Sequence, residues 1–306
     1  MSFTFGFDTS PAVGDVVKTP LKKAQELYYN LAATPPQTWP VEAECACFDT
    51  KQAEKTCPNC GIKPIKKFVL PHSQIPQLIN SMQEDDKADL FTSDLIPGEY
   101  EGGFKLWECS RDLLSTLNSM LAANQVVISD TAVLEVGCGA ALPGIFSLKQ
   151  GCKHLTLHDF NEEVLRWLTM PGLYLNDLGH PVEIGHVRFF SGDWQTTNDL
   201  MKYMREKESY LPTEGFDLIL SADSLYSCDS MPRLYQLIVD QLCRPTGMAL
   251  VAAKSYYFGV GGSVALFRDI VQKGGLLECS VLRTIEDGSS NRREILLLKW
   301  ATALSD

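Results

Sequence analysis

From about Ser93 to Trp300, apolar runs of strand length alternate with longer segments of helical character, and this alternation limits the fold more than any other feature of the chain. "TAVLEV" leads into "LPGIFSLKQ", which stops at Gly151. "HLTLHDF" leads into "NEEVLRWLTMPGLYLND", where Asn161 is a helix N-cap and Pro171 a kink or break. "HVRFFSGDW" follows. "FDLILSAD" then leads into "SMPRLYQLIVDQLC", with Ser230 as N-cap and Pro232 in the first turn. "GMALVAAKSY" leads into "SVALFRDIVQKG". Two last strands, "LECSVLRTI" and "REILLLKW", are joined by "EDGSSN". A strand reached through a helix pairs parallel to its predecessor, whereas a short link makes a hairpin. The pattern therefore predicts an α/β domain over 93–306. It is a Rossmann-like, doubly wound sheet of seven strands with helices on both faces, made mixed by one antiparallel strand.

Residues 1–92 show no such alternation. They hold Pro11, Pro20, Pro35, Pro36 and Pro40, the acidic patch "QEDDKAD" and a cysteine cluster, and read as an irregular arm or small appendage. The cluster "CACFDTKQAEKTCPNCG" places Cys45, Cys47, Cys57 and Cys60 together. Four thiolates can close a tetrahedral zinc site. The gap between the two pairs is short for a zinc ribbon, so free thiols are the alternative, and no metal ligand is assigned. The opening "MSFTFGFDTSP" has neither the basic start nor the apolar core of a secretory signal, and no apolar run reaches the roughly 18 residues of a membrane span. The ten cysteines are then expected as thiols or metal ligands and not as a disulfide framework.

In an open parallel sheet the ligand sits beyond the carboxyl ends of the strands, so what each strand ends on matters. The first ends "LEVGCGA": Gly137 and Gly139 flank Cys138 and allow close backbone approach, with Glu135 one residue inside the strand. The pattern G-x-G-x-x-G fails here, because Leu142 holds the third place and Gly144 comes two places late. The second strand ends on Asp159, the third on "SGDW" with Asp193 and Trp194, and the fourth on "SADSLY". Asp159 suits the two hydroxyls of a ribose, in NAD and in S-adenosylmethionine alike. A dinucleotide also needs the third glycine, to bring a helix N-terminus to its pyrophosphate. S-adenosylmethionine has no phosphate. Glu135 can meet its ammonium through backbone or water, and Asp193 can accept from the adenine amine. The ordered set fits the cofactor S-adenosylmethionine and a class I methyltransferase better than a dehydrogenase.

"SDLIPGEYEGGFKLWECSRDLL", "VLEVGCGAALPGI", "LHDFN", "FFSGDW", "FDLILSADSLY" and "KSYYFGVGGSVALF" follow one another in that order. Taken together they resemble the eukaryotic histidine protein methyltransferases, the methyltransferase-like type-eighteen branch of the seven-strand class. The resemblance runs from about Ser93 to Trp300 and rests chiefly on "YEGGFKLWECS" and "YFGVGG". It implies methyl transfer from S-adenosylmethionine to a histidine ring nitrogen, at the tele position, of a basic large-subunit ribosomal protein. It also implies a monomer in the cytoplasm and nucleus or nucleolus. By motif, it assigns cofactor contacts to Lys105, Leu106, Trp107, Glu108, Cys109 and Ser110, to Glu135, Gly137, Cys138 and Gly139, and to Asp159, Phe160 and Asn161. Gly192, Asp193, Trp194 and Ser221 complete that set. Trp107 either faces the sulfonium or is a core residue beside Phe104 and Leu106. Ala140 and Ala141 stand where many relatives carry glycine or serine, and so stiffen the loop.

An imidazole that attacks through one nitrogen needs the proton on its other nitrogen held. Asp223 is the candidate catalytic carboxylate, with Tyr226 shaping the pocket. The alternative is that Asp223 only caps the following helix. "SYYFGVGG" suits a substrate-facing loop or a plain loop-to-helix turn. No N/D-P-P-Y/F clamp follows the fourth strand, and the net charge is -11. Both disfavour direct nucleic-acid contact, and the charge favours a basic protein partner. A protein-lysine methyltransferase and a non-catalytic ribosome-assembly binding protein remain as alternatives.

Overall fold

The structure, a computed structural model, describes residues 21–27, 41–44, 63–79, 94–207, 211–288 and 290–302. Cys45, Cys47, Cys57 and Cys60 lie outside the described residues. Among the described residues no cluster of His, Cys, Asp and Glu could hold a metal ion, and no helix is long and apolar enough to cross a membrane.

In chain order the strands are β1 (Gln25–Leu27), β2 (Val41–Glu44), β3 (Ile65–Phe68), β4 (Ala132–Val136), β5 (His154–Asp159) and β6 (Val187–Ser191). β7 (Leu218–Ala222), β8 (Met248–Lys254), β9 (Leu277–Ile285) and β10 (Arg293–Trp300) follow. Eight of them form one sheet in the order β1-β6-β5-β4-β7-β8-β10-β9, and β2 and β3 pair separately. β4 to β8 run parallel to one another, and β10 lies antiparallel between β8 and β9. The seven strands expected from the alternation are all present, closing hairpin included. The eighth, β1, comes from the arm and pairs antiparallel with β6.

The long helices are α1 (Glu108–Ala122), α2 (Leu142–Lys149), α3 (Trp194–Lys207), α4 (Met231–Gln241) and α5 (Val264–Gly274). Successive side chains of a strand point to opposite faces. Val133, Leu155, Leu157, Leu218 and Leu220 thus pack with Leu113 and Leu117 of α1 and Phe146 of α2. Leu134, Ile219, Val251 and Leu296 pack with Met201 of α3, Ile238 of α4 and Phe267 of α5. Each such side chain contributes about 1.5–3 kcal/mol on burial. β4 lies inside both layers, and all five of its residues are buried.

Two of the expected caps are not made. Ser230 Oγ donates to the Ser227 carbonyl at 3.1 Å and leaves α4 uncapped. Asn161 precedes the next helix but its side chain turns away. Nδ2 donates to the Glu99 carbonyl at 2.7 Å and Oδ1 accepts from Glu101 N at 3.0 Å. That helix runs as Glu162–Val164, a π turn Leu165–Thr169, then Met170–Leu175 with Pro171 in its first turn. After β6 the chain crosses back to β7, on the other side of β4. The sheet order therefore reverses between β4 and β7, which opens a crevice at their carboxyl ends.

Candidate active site

The crevice is a cavity of about 860 Å³, counted with its open mouth. Its floor is the loop after β4. Gly137 and Gly139 are left-handed, at φ 67° and 49°. A Cβ on Gly139 would lie 2.9 Å from the Gly103 carbonyl, whereas one on Gly137 would meet nothing within 4 Å, because the cavity lies over it. The loop is held from below. Cys138 N donates to the His158 carbonyl at 2.8 Å, Gly139 N to Asp159 Oδ2 at 3.0 Å, and Thr169 Oγ1 to the Gly139 carbonyl at 2.6 Å. Burial pushes the imidazole of His158 down to about 4, so it is neutral. It accepts weakly from Gly137 N at Nδ1 and donates to the Gly192 carbonyl from Nε2 at 3.0 Å. Ala141, at the start of α2, is itself left-handed with φ 54°, a conformation an alanine adopts at a cost.

The late glycine has a clear role. A Cβ on Gly144 would sit 2.6 Å from Glu135 Oε2 and 2.8 Å from Leu157 Cδ2. Glycine therefore lets α2 seat directly on β4 and β5, while Gly144 N donates to Glu135 Oε2 at 2.7 Å. Burial lifts the Glu135 carboxyl to about 8, against that hydrogen bond.

Asp159 ends β5 with its carboxylate against the cavity. Oδ2 takes Gly139 N, and Oδ1 takes Asn161 N at 3.1 Å. Burial raises the group to about 6, partly offset by those two N–H groups and by Lys22. Each carboxylate oxygen keeps a lone pair for a further donor. Beyond Asp159, Phe160 lines the cavity under the Lys22 ammonium, 4.7 Å from its ring centre. Asp193 and Trp194 line the same end. Asp193 Oδ1 accepts from Gln195 N at 2.8 Å, so it caps α3. Its Oδ2 lies 3.2 Å from Arg233 Nε, a cation the strand-end pattern did not bring forward.

Asp223 follows β7 in the left-handed conformation, φ 52°. Its Oδ2 accepts from Cys109 N at 3.0 Å, and its Oδ1 accepts from Tyr257 OH at 2.9 Å. It therefore caps a helix, but α1 and not the α4 that follows it in sequence. Burial raises its carboxyl, against the Lys254 charge and these hydrogen bonds. Tyr226 lines the cavity and donates to Glu101 Oε2, fastening the segment before α1 to the mouth. Burial drives the thiols of Cys109 and Cys138 well above their ordinary value, so neither is a nucleophile.

Lys105, Leu106, Trp107, Ser110, Glu135, Gly137, Cys138, Gly139, Asp159, Phe160, Asp193, Trp194, Asp223 and Tyr226 all line this one cavity. Five expected contacts do not. Glu108 pairs with Lys254 at 3.2 Å; Cys109 turns to Asp223, to which it donates its backbone N–H; Asn161 braces residues 99–101. Gly192 supports β1, since a Cβ there would be 2.7 Å from Ala24 Cα. Ser221 Oγ donates to the Val136 carbonyl at 2.9 Å. Trp107 is a cavity wall whose ring lies 4.5 Å from the Lys105 ammonium and 5.2 Å from that of Lys254. Residues that the motifs passed over also line it: Glu101, Gly102, Gly103, Ala140, Ala222, Ser224, Ser230 and Arg233. The "EGG" of "YEGGF" was a local signal for the first three. A Cβ on Gly103 would lie 3.0 Å from both Asp159 oxygens, so only glycine lets this segment close over them.

The sheet order, the glycine loop and the acid at the end of β5 define the fold and cofactor crevice of the class I, S-adenosylmethionine-dependent methyltransferases. Residues 98–257 match the family described as lysine methyltransferase, and the chain belongs to that family. It is 39% identical over 213 residues to a protein of Dictyostelium discoideum named "Histidine protein methyltransferase 1 homolog", a match covering 70% of this chain and 62% of that one. The protein of the same name from Bos taurus is 34% identical over 215 residues, covering 64% and 55%. These matches span only about three fifths of the relatives' own length. A putative methyltransferase from Streptococcus mutans superposes over 63% of this chain and 49% of its own, at 16% identity and a TM-score of 0.46.

The cavity fits S-adenosylmethionine. Open space lies over Gly137, and Asp159 presents free acceptor capacity. Arg233 Nε is buried there, ion-paired with Asp193 Oδ2 at 3.2 Å, and Phe160 and Trp194 offer apolar surface.

Proposed function

We propose that this chain methylates a histidine ring nitrogen of a basic protein, a large-subunit ribosomal protein, in the cytoplasm and nucleus, acting as a monomer. Asp159 would hold the ribose, with the adenine end lying towards Phe160, Asp193 and Trp194 and the amino-acid end towards Glu135 and Gly137–Gly139. When bound, S-adenosylmethionine supplies a methyl group on a sulfonium, already primed for displacement. The protein's share is then to align the acceptor, exclude water and manage one proton.

One observation carries the reading: the Asp223 carboxylate is clamped between Cys109 N and Tyr257 OH at the mouth of the cavity that holds Asp159. An acid held this way can accept the N–H of a neutral imidazole, which fixes the tautomer and frees the other nitrogen to attack. Burial raises the Asp223 carboxyl above its ordinary value, which suits it to take the proton that methylation makes acidic. The tele nitrogen projects furthest from the polypeptide, so it reaches deepest. The net charge of -11 favours a basic acceptor. The family's description favours a second reading, transfer to lysine. The test is to incubate the protein with labelled S-adenosylmethionine and dissociated large-subunit ribosomal proteins, then hydrolyse and separate the amino acids. Label in tele-methylhistidine is expected; label in methyllysine overturns the histidine reading, and none at all overturns the activity.

A further inference from the structure

The turn between β8 and α5 exposes large apolar side chains that the chemistry does not require. Tyr256 is 48% exposed, Phe258 76% and Val260 43%. The Tyr256 and Phe258 rings touch edge to face, 5.0 Å between centres. Between them Tyr257 is buried, with its hydroxyl on Asp223. Solvent exposure of three large apolar side chains on one turn is costly, and such patches mark places that another molecule covers.

The turn is held firmly. Tyr257 N donates to the Gly262 carbonyl at 2.9 Å, Gly261 N to the Tyr257 carbonyl at 3.2 Å, and Gly262 N to the Tyr226 carbonyl at 3.0 Å. Cys228 Sγ reaches the Gly261 carbonyl at 3.3 Å. Gly259 and Gly261 are left-handed, and a Cβ on Gly262 would lie 2.0 Å from the Leu225 carbonyl. The aromatic pair is therefore presented on a fixed support, stitched to the Leu225–Ser227 segment, whose Tyr226 lines the cavity. Little ordering remains for binding to oppose.

We infer that Tyr256, Phe258 and Val260 form the docking ridge for the acceptor polypeptide, gripping apolar side chains that flank its target residue. This rests on the reading above that the acceptor is a protein. A protein whose side chain enters the mouth beside Asp223 and Tyr226 must cover the surface next to it, and this ridge adjoins both residues through Tyr257 and Gly262. The exposed Asp229, next to Cys228, adds an acidic edge that complements a basic segment.

The test uses the full chain, unchanged and as Phe258→Ser and Tyr256→Ser/Phe258→Ser. Affinity for S-adenosylhomocysteine is measured by calorimetry, thermal midpoint by scanning calorimetry, and mass by sedimentation. Methyl transfer is followed against dissociated large-subunit ribosomal proteins, or against total cellular protein if those do not accept. The expected result is a KM for acceptor protein raised roughly tenfold or more in the double variant, as for an aromatic hot spot. kcat, cofactor affinity and thermal midpoint should stay close to those of the parent. An unchanged KM overturns the ridge, as does a parent dimer that the substitutions dissociate. A parent that labels no protein overturns the functional reading instead.

Discussion

Acidification should release the cofactor through one residue, Asp159. A ribose hydroxyl donates best to an ionised carboxylate. Burial holds this one at about 6, so it loses its charge within the working range. An acid at about 6 is about nine-tenths ionised at pH 7 and about one-tenth at pH 5, so the dissociation constant should rise about tenfold, or about 1.4 kcal/mol. Asp159→Asn keeps the shape but removes the charge, and it sets an amide N–H₂ against Gly139 N–H or Asn161 N–H. One charge-assisted hydrogen bond is worth about 1.5–3 kcal/mol, so binding at pH 8 should weaken at least tenfold and the slope between pH 5 and 7 should vanish. For folding of the free protein the sign is reversed. The folded form binds the proton more tightly, so this group costs stability as pH rises from its ordinary 3.8 to about 6. Calorimetric titration with S-adenosylhomocysteine at pH 5, 6, 7 and 8 reads the binding effect. A parent slope that persists in Asp159→Asn would assign the titration to another group, such as Glu135, and refute the reasoning; unchanged binding by Asp159→Ala would contradict the pocket itself.

Gly144→Ala should destabilise the fold by about 1–3 kcal/mol through overpacking, despite alanine's better helix propensity, because its Cβ would meet Glu135 and Leu157. A raised thermal midpoint would contradict the seating of α2. Tyr257→Phe should lower kcat and spare cofactor affinity. With the hydroxyl on Asp223 Oδ1 gone, the carboxylate is harder to ionise and the acid limb of the kcat profile should move to higher pH; an unmoved limb would deny Asp223 its role in the proton transfer. Arg293 is buried and joins Asp112 of α1 at 2.5 Å to Asp287 at 2.6 Å. Arg293→Met should cost about 3 kcal/mol or more by leaving Asp112 without its partner, as urea unfolding would show.

Local pattern carried a good part of the fold and of the site. Short, nearly continuous apolar runs such as "AVLEV" and "LILSA" read as strands buried on both faces, and helical segments between them make crossovers, so the parallel core and its closing hairpin follow from spacing alone. Glycines at 137 and 139 and an acid ending the next strand sit within about thirty residues of one another, a span over which backbone connectivity dictates geometry. What lay beyond reach was contact between distant segments. The three residues of β1 have no hydrophobic signature and become a strand only because β6 offers a free edge. Ser230 and Asn161 had the right type and place for caps, yet Ser230 bonds the Ser227 carbonyl in its own turn and Asn161 reaches across the fold to Glu99. Asp223 stood out in the sequence, but its meaning depended on Cys109 and Tyr257, 114 and 34 residues away. A sequence specifies which side chains are available and which face of an element they occupy. Which of them converge on one carboxylate depends on how the sheet twists and closes, and that was decided only in the packed tertiary structure.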